Sequence, residues 1–386
     1  MSLHEIESLA ALDVALQAGS LRDLVVQGLV LDTREAAIAA VDVTGAVFVG
    51  CTMSVALTTH LITHGVVVFP HIDVVFKTAR TTLYTPDELM AGYVRGDPES
   101  FKTATVDAHI YAQRNGKSGV RATFVEQLAM RLHDLSIDDA LDELLDGRRV
   151  VAIMGGHATP RAVVDDTDPS LPSTYLQVVR LGAALARAGY LVATGGGPGA
   201  MEAANLGAMA ADLDDTGLVA LVASLTPGGY AKQGRMLPGY FESAWDARAT
   251  LTSPRQSLAI PTWFYGHEPT NLFCTHVAKY FSNALREEGL LEKANHGVAF
   301  AAGSGPGTMQ EVFQDVCQNA YATYGTVSPM AFLGTAFWNV ARPAPALIAS
   351  MVKGKLLADR LIVTDDIDDI VAFLAAHPPA PSTNGY

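Results

Sequence analysis

The chain is short of cysteine, poor in charge and free of any long apolar run. Cys51, Cys274 and Cys317 are its only cysteines in 386 residues. Their odd number and scatter offer no disulfide framework and fit a reducing cytoplasm. Lys and Arg number 26 against 40 Asp and Glu, a net charge of −14. Nucleic acid and anionic membrane are excluded as partners on that balance, because phosphate backbones need a basic footprint. No window of about 18 residues escapes polar interruption, so no membrane span is expected. The acidic start, Met1-Ser-Leu-His-Glu-Ile-Glu, lacks the basic n-region of a secretory signal. A small anion remains compatible with the acidic chain, since a local nest of N–H groups outweighs the global field.

Glycine, by contrast, is plentiful at 34 residues, and two glycine loops share one pattern. Residues 194–204 read Thr-Gly-Gly-Gly-Pro-Gly-Ala-Met-Glu-Ala-Ala, and residues 303–311 read Gly-Ser-Gly-Pro-Gly-Thr-Met-Gln-Glu. Each follows a short apolar run (Tyr190–Ala193, Val298–Ala302) and opens a helix-like stretch (Met201–Ala211, Met309–Ala320). Strand, glycine turn and helix N-terminus together aim unpaired N–H groups and a positive dipole end at an anion. Candidate phosphate contacts are Gly195, Gly196, Gly197, Gly199, Met201 and Glu202 in the first loop. In the second they are Gly303, Ser304, Gly305, Gly307 and Thr308. A nucleotide is the expected ligand.

At this length two domains are expected. Residues 148–378 alternate strand-like runs (Arg149–Met154, Tyr190–Thr194, Leu218–Leu225, Val298–Ala302, Met330–Leu333, Leu361–Thr364) with helical segments. That pattern predicts an α/β fold: a doubly wound, Rossmann-like parallel sheet with ligands beyond the strand C-termini. Residues 1–115 predict a smaller α/β domain, with strands at Ala46–Gly50 and Gly65–Pro70 and a helix at Val55–His64. Residues 116–147 predict a connector of two helices, Val125–Leu132 and Ser136–Leu145. Residues 379–386 close a Pro-rich tail expected to be frayed.

Gly195-x-Gly197-x-x-Ala200 satisfies the dinucleotide fingerprint in form only. It follows the second strand of its domain, and no acid ends the next strand to hold a ribose 2′-hydroxyl. Glu311 has two readings. Three residues after Thr308, it completes a capping box if Thr308 is the N-cap; alternatively, it is a carboxylate at the mouth of an anion site.

The two loops together resemble the Lonely Guy family, whose hallmark is Pro-Gly-Gly-x-Gly-Thr-x-x-Glu, over roughly residues 148–340. Gly303 and Ser304 stand at the family's Pro and first Gly. Family members hydrolyse the N-glycosidic bond of nucleoside 5′-monophosphates to free base and ribose 5-phosphate. The extra N-terminal domain is similar to that of the larger bacterial members. The resemblance implies Glu311 and Arg286 as catalytic residues, with Glu287 where the family carries lysine. It also implies Gly155 and His157 in the first βα turn, no metal or organic cofactor, and a homodimer or higher homo-oligomer.

The chemistry suits these residue types. Breaking a C1′–N bond builds cationic character on the ribose, which a carboxylate stabilises while activating water. An arginine clamps phosphate or holds the carboxylate. A nucleotide-binding or carrier protein on the same scaffold stays open as the alternative, since fold does not fix function. His60, His64, His71, His276 and His296 read as ordinary histidines, and Asp246 and Arg248 as a solvated pair.

Overall fold

The computed structural model describes residues 4–115, 122–231 and 235–381. The chain divides into two compact units, residues 1–83 with 110–144 and residues 84–109 with 145–386. This differs from the expected boundaries at 115 and 147, because residues 84–109 are built into the second unit. Tyr84 pairs its backbone with Val277, Phe101 stacks on His267, and Asp107 is the buried counter-charge of Lys279.

The first unit holds a four-stranded parallel sheet whose spatial order follows the chain: β1 (His4–Ile6), β2 (Leu24–Gln27), β3 (Val47–Cys51) and β4 (Val67–Pro70). The helix between β3 and β4 is Val55–Thr63, with Ser54 accepting from the Leu57 N–H as N-cap. The expected pair of connector helices is one continuous helix, Phe124–Leu145, because Ser136 sits mid-helix and donates to the His133 carbonyl at 2.8 Å instead of capping. Residues 116–121 of the expected connector lie outside the described residues.

The second unit is a doubly wound α/β domain around a seven-stranded parallel sheet. Its strands are β5 (Val150–Met154), β6 (Leu191–Thr194), β7 (Ser257–Ala259), β8 (His276–Val277), β9 (Val298–Ala301), β10 (Met330–Leu333) and β11 (Leu361–Thr364). Their order is β8-β7-β6-β5-β9-β10-β11. The chain winds outward from β5 in one direction, returns, and continues from β9 in the other. The switch point therefore lies between β5 and β9, where such folds place ligands. Residues of β5, β6, β7 and β9 are all buried, as continuous Val/Ala/Ile/Leu runs require.

One expected strand is a helix. Leu218–Leu225 belongs to the helix Asp215–Leu225, which buries Leu218, Leu221, Val222 and Leu225 at helical spacing. Asp214 starts it by accepting from the Gly217 N–H at 2.8 Å. The next strand of the seven-stranded sheet is instead β7, which runs into Ile260-Pro261 and still ends without an acid. The tail is also more ordered than expected: Ala380–Pro381 pairs antiparallel with Thr326–Val327. Residues 382–386 lie outside the described residues.

Helices Thr174–Arg187 and Ala200–Met209 cross closely. Gly182 lies against the Ala204 carbonyl and Gly207 against the Val179 carbonyl, so a side chain at either position strikes backbone. Glu202, on the second of these helices, is 1% exposed. Its carboxylate takes both prongs of Arg161 at 2.7 Å, and accepts from Tyr175 at 2.7 Å and Tyr240 at 2.8 Å. Glu202 is thus a structural anchor, correcting its expected role at the phosphate. Glu202→Ala leaves a buried guanidinium unpaired, and chemical denaturation should show a loss of about 3–5 kcal/mol.

Candidate functional site

The two glycine loops share a sequence pattern but not an environment. In the first, Gly195, Gly196, Gly197 and Gly199 are all buried. A Cβ on Gly195 meets Arg286 and the Met201 sulfur, and one on Gly197 meets the Met201 methyl. Gly196 has φ +77° beside Ala259 and Pro261, and Gly199 has φ +70° against the carbonyls of Gly156 and His157. The Gly196 N–H is already bonded to Thr194 Oγ1 at 3.0 Å. Thr194 in turn bonds Asn205 at 2.7 Å, and Asn271 reaches both Asn205 and the Gly197 carbonyl. These glycines and Met201 are there to pack. Gly155 is likewise pressed between Ala200 and Ala301.

The second loop is open. Gly303, Gly305 and Gly307 are exposed, and a Cβ built on any of them meets nothing within 4 Å. Packing therefore makes no demand for glycine at Gly305 or Gly307, whereas close approach of a ligand to the backbone does. The loop leaves β9 at the switch point and abuts the first βα turn, since a Cβ on Gly156 would stand 3.3 Å from the Gly303 carbonyl. Ser304 is buried and donates to the Ala301 carbonyl, which fixes the loop from beneath.

The helix that follows, Pro306–Tyr321, begins earlier than expected, with Gly305 as N-cap and Pro306 at the favoured first position. Thr308 is thus a buried residue of the first turn, and the capping box with Glu311 does not form. Its hydroxyl bonds the Glu311 carboxylate instead. Glu311 is half-buried. Burial pushes its pKa up to about 7, with neighbouring Glu287 adding to the rise and the Arg286 charge and the Thr308 bond opposing it.

Arg286 is 8% exposed and comes from the helix Asn283–Lys293. Its Nε donates to the Ile260 carbonyl at 2.9 Å, and its terminal nitrogen pairs with Glu287 Oε1 at 2.9 Å. The Tyr265 hydroxyl donates to the same Glu287 oxygen at 3.0 Å. The structure therefore brings Arg286, Glu311 and Thr308 together, next to the open loop.

A second carboxylate belongs to this group and was missed in the sequence. Glu268 is half-buried, and burial raises its pKa against the pull of His157, Arg286 and Lys279. A Cβ on Gly197 would lie 3.5 Å from its carboxyl. Exposed His157 thus enters the site through Glu268. No spacing rule finds Glu268, because it sits in the irregular segment between β7 and β8. That segment is held by buried Asp107, which accepts from Lys279 at 2.7 Å, Trp263 at 2.8 Å and His267 at 3.0 Å. Burial pushes the Asp107 carboxyl up, but Lys279 and His267 overcome it and hold it at about 2. Arg248 and Asp246 do not reach the site; they pair with Asp87 and Arg95 respectively.

No family model matches the chain, and no curated protein matches it. Among solved structures it is similar to the molybdenum cofactor carrier protein of Chlamydomonas reinhardtii, at 16% identity with a TM-score of 0.35. That match covers 59% of this chain and 97% of the other. A second structure of that carrier matches at 16% identity over 59% of this chain and 98% of the other, with a TM-score of 0.34. The structural-genomics protein TM1055 matches at 17% identity over 59% and 99%, also with a TM-score of 0.34. Likenesses at these scores carry neither ligand nor activity to this chain. Among the described residues, no helix is long and apolar enough to cross a membrane.

One turn beyond Glu311, Asp315 is 1% exposed. Its Oδ1 accepts from Gln318 at 2.9 Å and Asn319 at 2.8 Å, while Oδ2 is buried without a partner. Burial pushes its pKa up to about 7. Folded Asp315 keeps its proton up to that pH, whereas the unfolded carboxyl releases it near 3.8. Within this window the unfolded chain is ionised while the folded carboxyl still holds its proton, so stability falls as the pH rises from about 4 towards 7. Asp315→Asn keeps the accepting oxygen and removes the ionisation. Thermal unfolding should show it more stable than wild type at pH 8 and nearly equal at pH 4.

Proposed function

We propose that the second unit hydrolyses the N-glycosidic bond of a nucleoside 5′-monophosphate, AMP or a relative, releasing free base and ribose 5-phosphate. The observation that carries this reading is the open second loop, with half-buried Glu311 and the Arg286 guanidinium beside it. The first-turn N–H groups of Gly307 and Thr308 are among those a helix leaves unbonded, and they suit the 5′-phosphate. Phosphate binding there spends remote interaction energy on placing the ribose. As the C1′–N bond breaks, its electron pair leaves with the base and positive charge grows at C1′. Ionised Glu311 stabilises that charge and accepts a proton from the attacking water, whose oxygen bonds C1′. Glu268, whose pKa burial raises and whose charge, like that of Glu311, faces Arg286, is the candidate acid for the departing base.

One observation favours a second reading, in which the same site binds a phosphorylated ligand without turnover. Arg286 is already engaged by Glu287 and the Ile260 carbonyl, so less of its charge reaches a ligand. Incubation of the pure protein with a panel of nucleoside monophosphates separates the two. Ribose 5-phosphate should appear without added metal, and the matching nucleosides should react poorly. Binding with no ribose 5-phosphate returns the site to the carrier reading, and equal turnover of nucleoside and nucleotide rejects the phosphate cradle.

Glu311→Gln should leave nucleotide binding nearly intact and lower kcat by about 100-fold or more, on the order of 3 kcal/mol of transition-state stabilisation. Because the ionised form is the reactive one, kcat/KM should fall as pH drops through about 7, where Glu311 takes its proton. A flat profile from pH 5 to 8 excludes Glu311 as the group that titrates.

We place the protein in the cytoplasm as a homodimer or larger symmetric assembly. Tyr321, Val340, Leu347 and Met351 are each at least half exposed in the second unit, and closed symmetry is the usual way such side chains are covered. Light scattering at micromolar concentration should give at least twice the 40.8 kDa chain mass; a monomer there counts against this assembly.

A further inference from the structure

The first unit carries a cavity of its own, unrelated to the glycine loops. Strands β1 to β4 run parallel, so their C-terminal ends share one edge of the sheet. Each end lends a residue to the cavity: Glu7 just beyond β1, Gln27 ending β2, Gly50 late in β3 and His71 just beyond β4. The facing wall is the segment Lys77-Thr-Ala-Arg-Thr-Thr82. The cavity is open on one side and its volume is about 320 Å³, within the range of small-molecule sites. The carboxyl edge of a parallel sheet is where α/β folds hold ligands.

The two walls are built against each other. Gly50 has φ +63°, and a Cβ there would stand 2.9 Å from the Ala79 methyl, so only glycine lets the segment lie so near the strand. Gln27 spans the gap, donating to Glu7 at 3.1 Å and to the Arg80 carbonyl at 3.4 Å. Thr78 and Arg80 are 3% and 6% exposed, and Arg80 Nε donates to the Thr82 carbonyl at 3.1 Å, which orients the guanidinium. In a chain of net charge −14, six consecutive residues here carry two cations, three hydroxyls and no acid. Glu7 is the acid that lines the cavity, and the carboxylates of Glu5 and Asp139 lie within 4.8 Å of it. Burial raises the Glu7 pKa, as do Glu143 and Asp139, against the bond from Gln27.

We propose that this cavity binds the phosphate group of a small phosphorylated metabolite, with Lys77 and Arg80 supplying charge and the threonine hydroxyls supplying hydrogen bonds. The site stands independently of the reaction proposed for the second unit.

Hydrogen exchange of the full chain tests it, with inorganic pyrophosphate as the probe and sodium chloride at matched ionic strength as the control. Pyrophosphate should slow exchange over residues 71–82 severalfold, and chloride should not. Lys77 is exposed, so Lys77→Gln should keep the fold and lose that protection. Arg286→Ala, in the other unit, should leave it unchanged while weakening any protection over residues 303–311. The two sites therefore fail or succeed separately. Equal slowing by chloride, no slowing at millimolar pyrophosphate, or full protection in Lys77→Gln would each overturn the proposal.

Discussion

One buried guanidinium organises the second unit's site. Arg286 leaves the helix Asn283–Lys293 and bonds the chain just past β7 at Ile260. It also presses on Gly195 and pairs with Glu287. Its charge acts on both Glu311 and Glu268. An uncompensated charge at that depth costs several kcal/mol, so the elements around it must supply carbonyl and carboxylate oxygens. The absence of a side chain at Gly195 is part of this, because any Cβ there displaces the guanidinium. The packing of the first loop and the chemistry beside the second are therefore linked through Arg286.

The two loops show how one pattern serves two purposes. Both turn a chain from a strand into a helix, and both need residues that allow tight turns. The first is enclosed: its glycines touch Ala259, Pro261, Met201 and the Gly156 carbonyl. The second opens at the switch point, with space over Gly305 and Gly307. A ligand-facing role is favoured where no protein atom explains the glycine.

Ionisable groups held against their preference mark the same region. Glu311 and Asp315, one turn apart on one helix, both have pKa values pushed up to about 7 by burial. Glu202 and Asp107 are each 1% exposed, yet Arg161 and Lys279 hold them ionised. The difference is the partner. A dedicated cation makes a buried carboxylate structural, whereas Glu311 shares Arg286 with Glu287 and remains able to exchange a proton near neutrality. That arrangement costs stability and suits a reactive group.

Much of the second unit was legible in the sequence because its signals are local. Continuous apolar runs in β5, β6, β9 and β10 suit strands buried on both faces, and glycine turns after β6 and β9 announce a doubly wound sheet. Leu218–Leu225 misled because a short apolar run has no period of its own; only burial of Leu218, Leu221, Val222 and Leu225 on one face made it a helix. The motif pointed to Glu311, Arg286 and Glu202 alike; the structure sets the first two side by side, whereas Arg161, 41 residues away, fills both oxygens of Glu202. Glu268, the exchange of residues 84–109 into the second unit, and the cavity at the carboxyl edge of β1 to β4 left no sequence signal. Each depends on groups distant in the chain meeting in space. The sequence by itself determined which segments are strands with glycine exits. Only the tertiary structure decided which exit stays open to a ligand and which charges are already spent on one another.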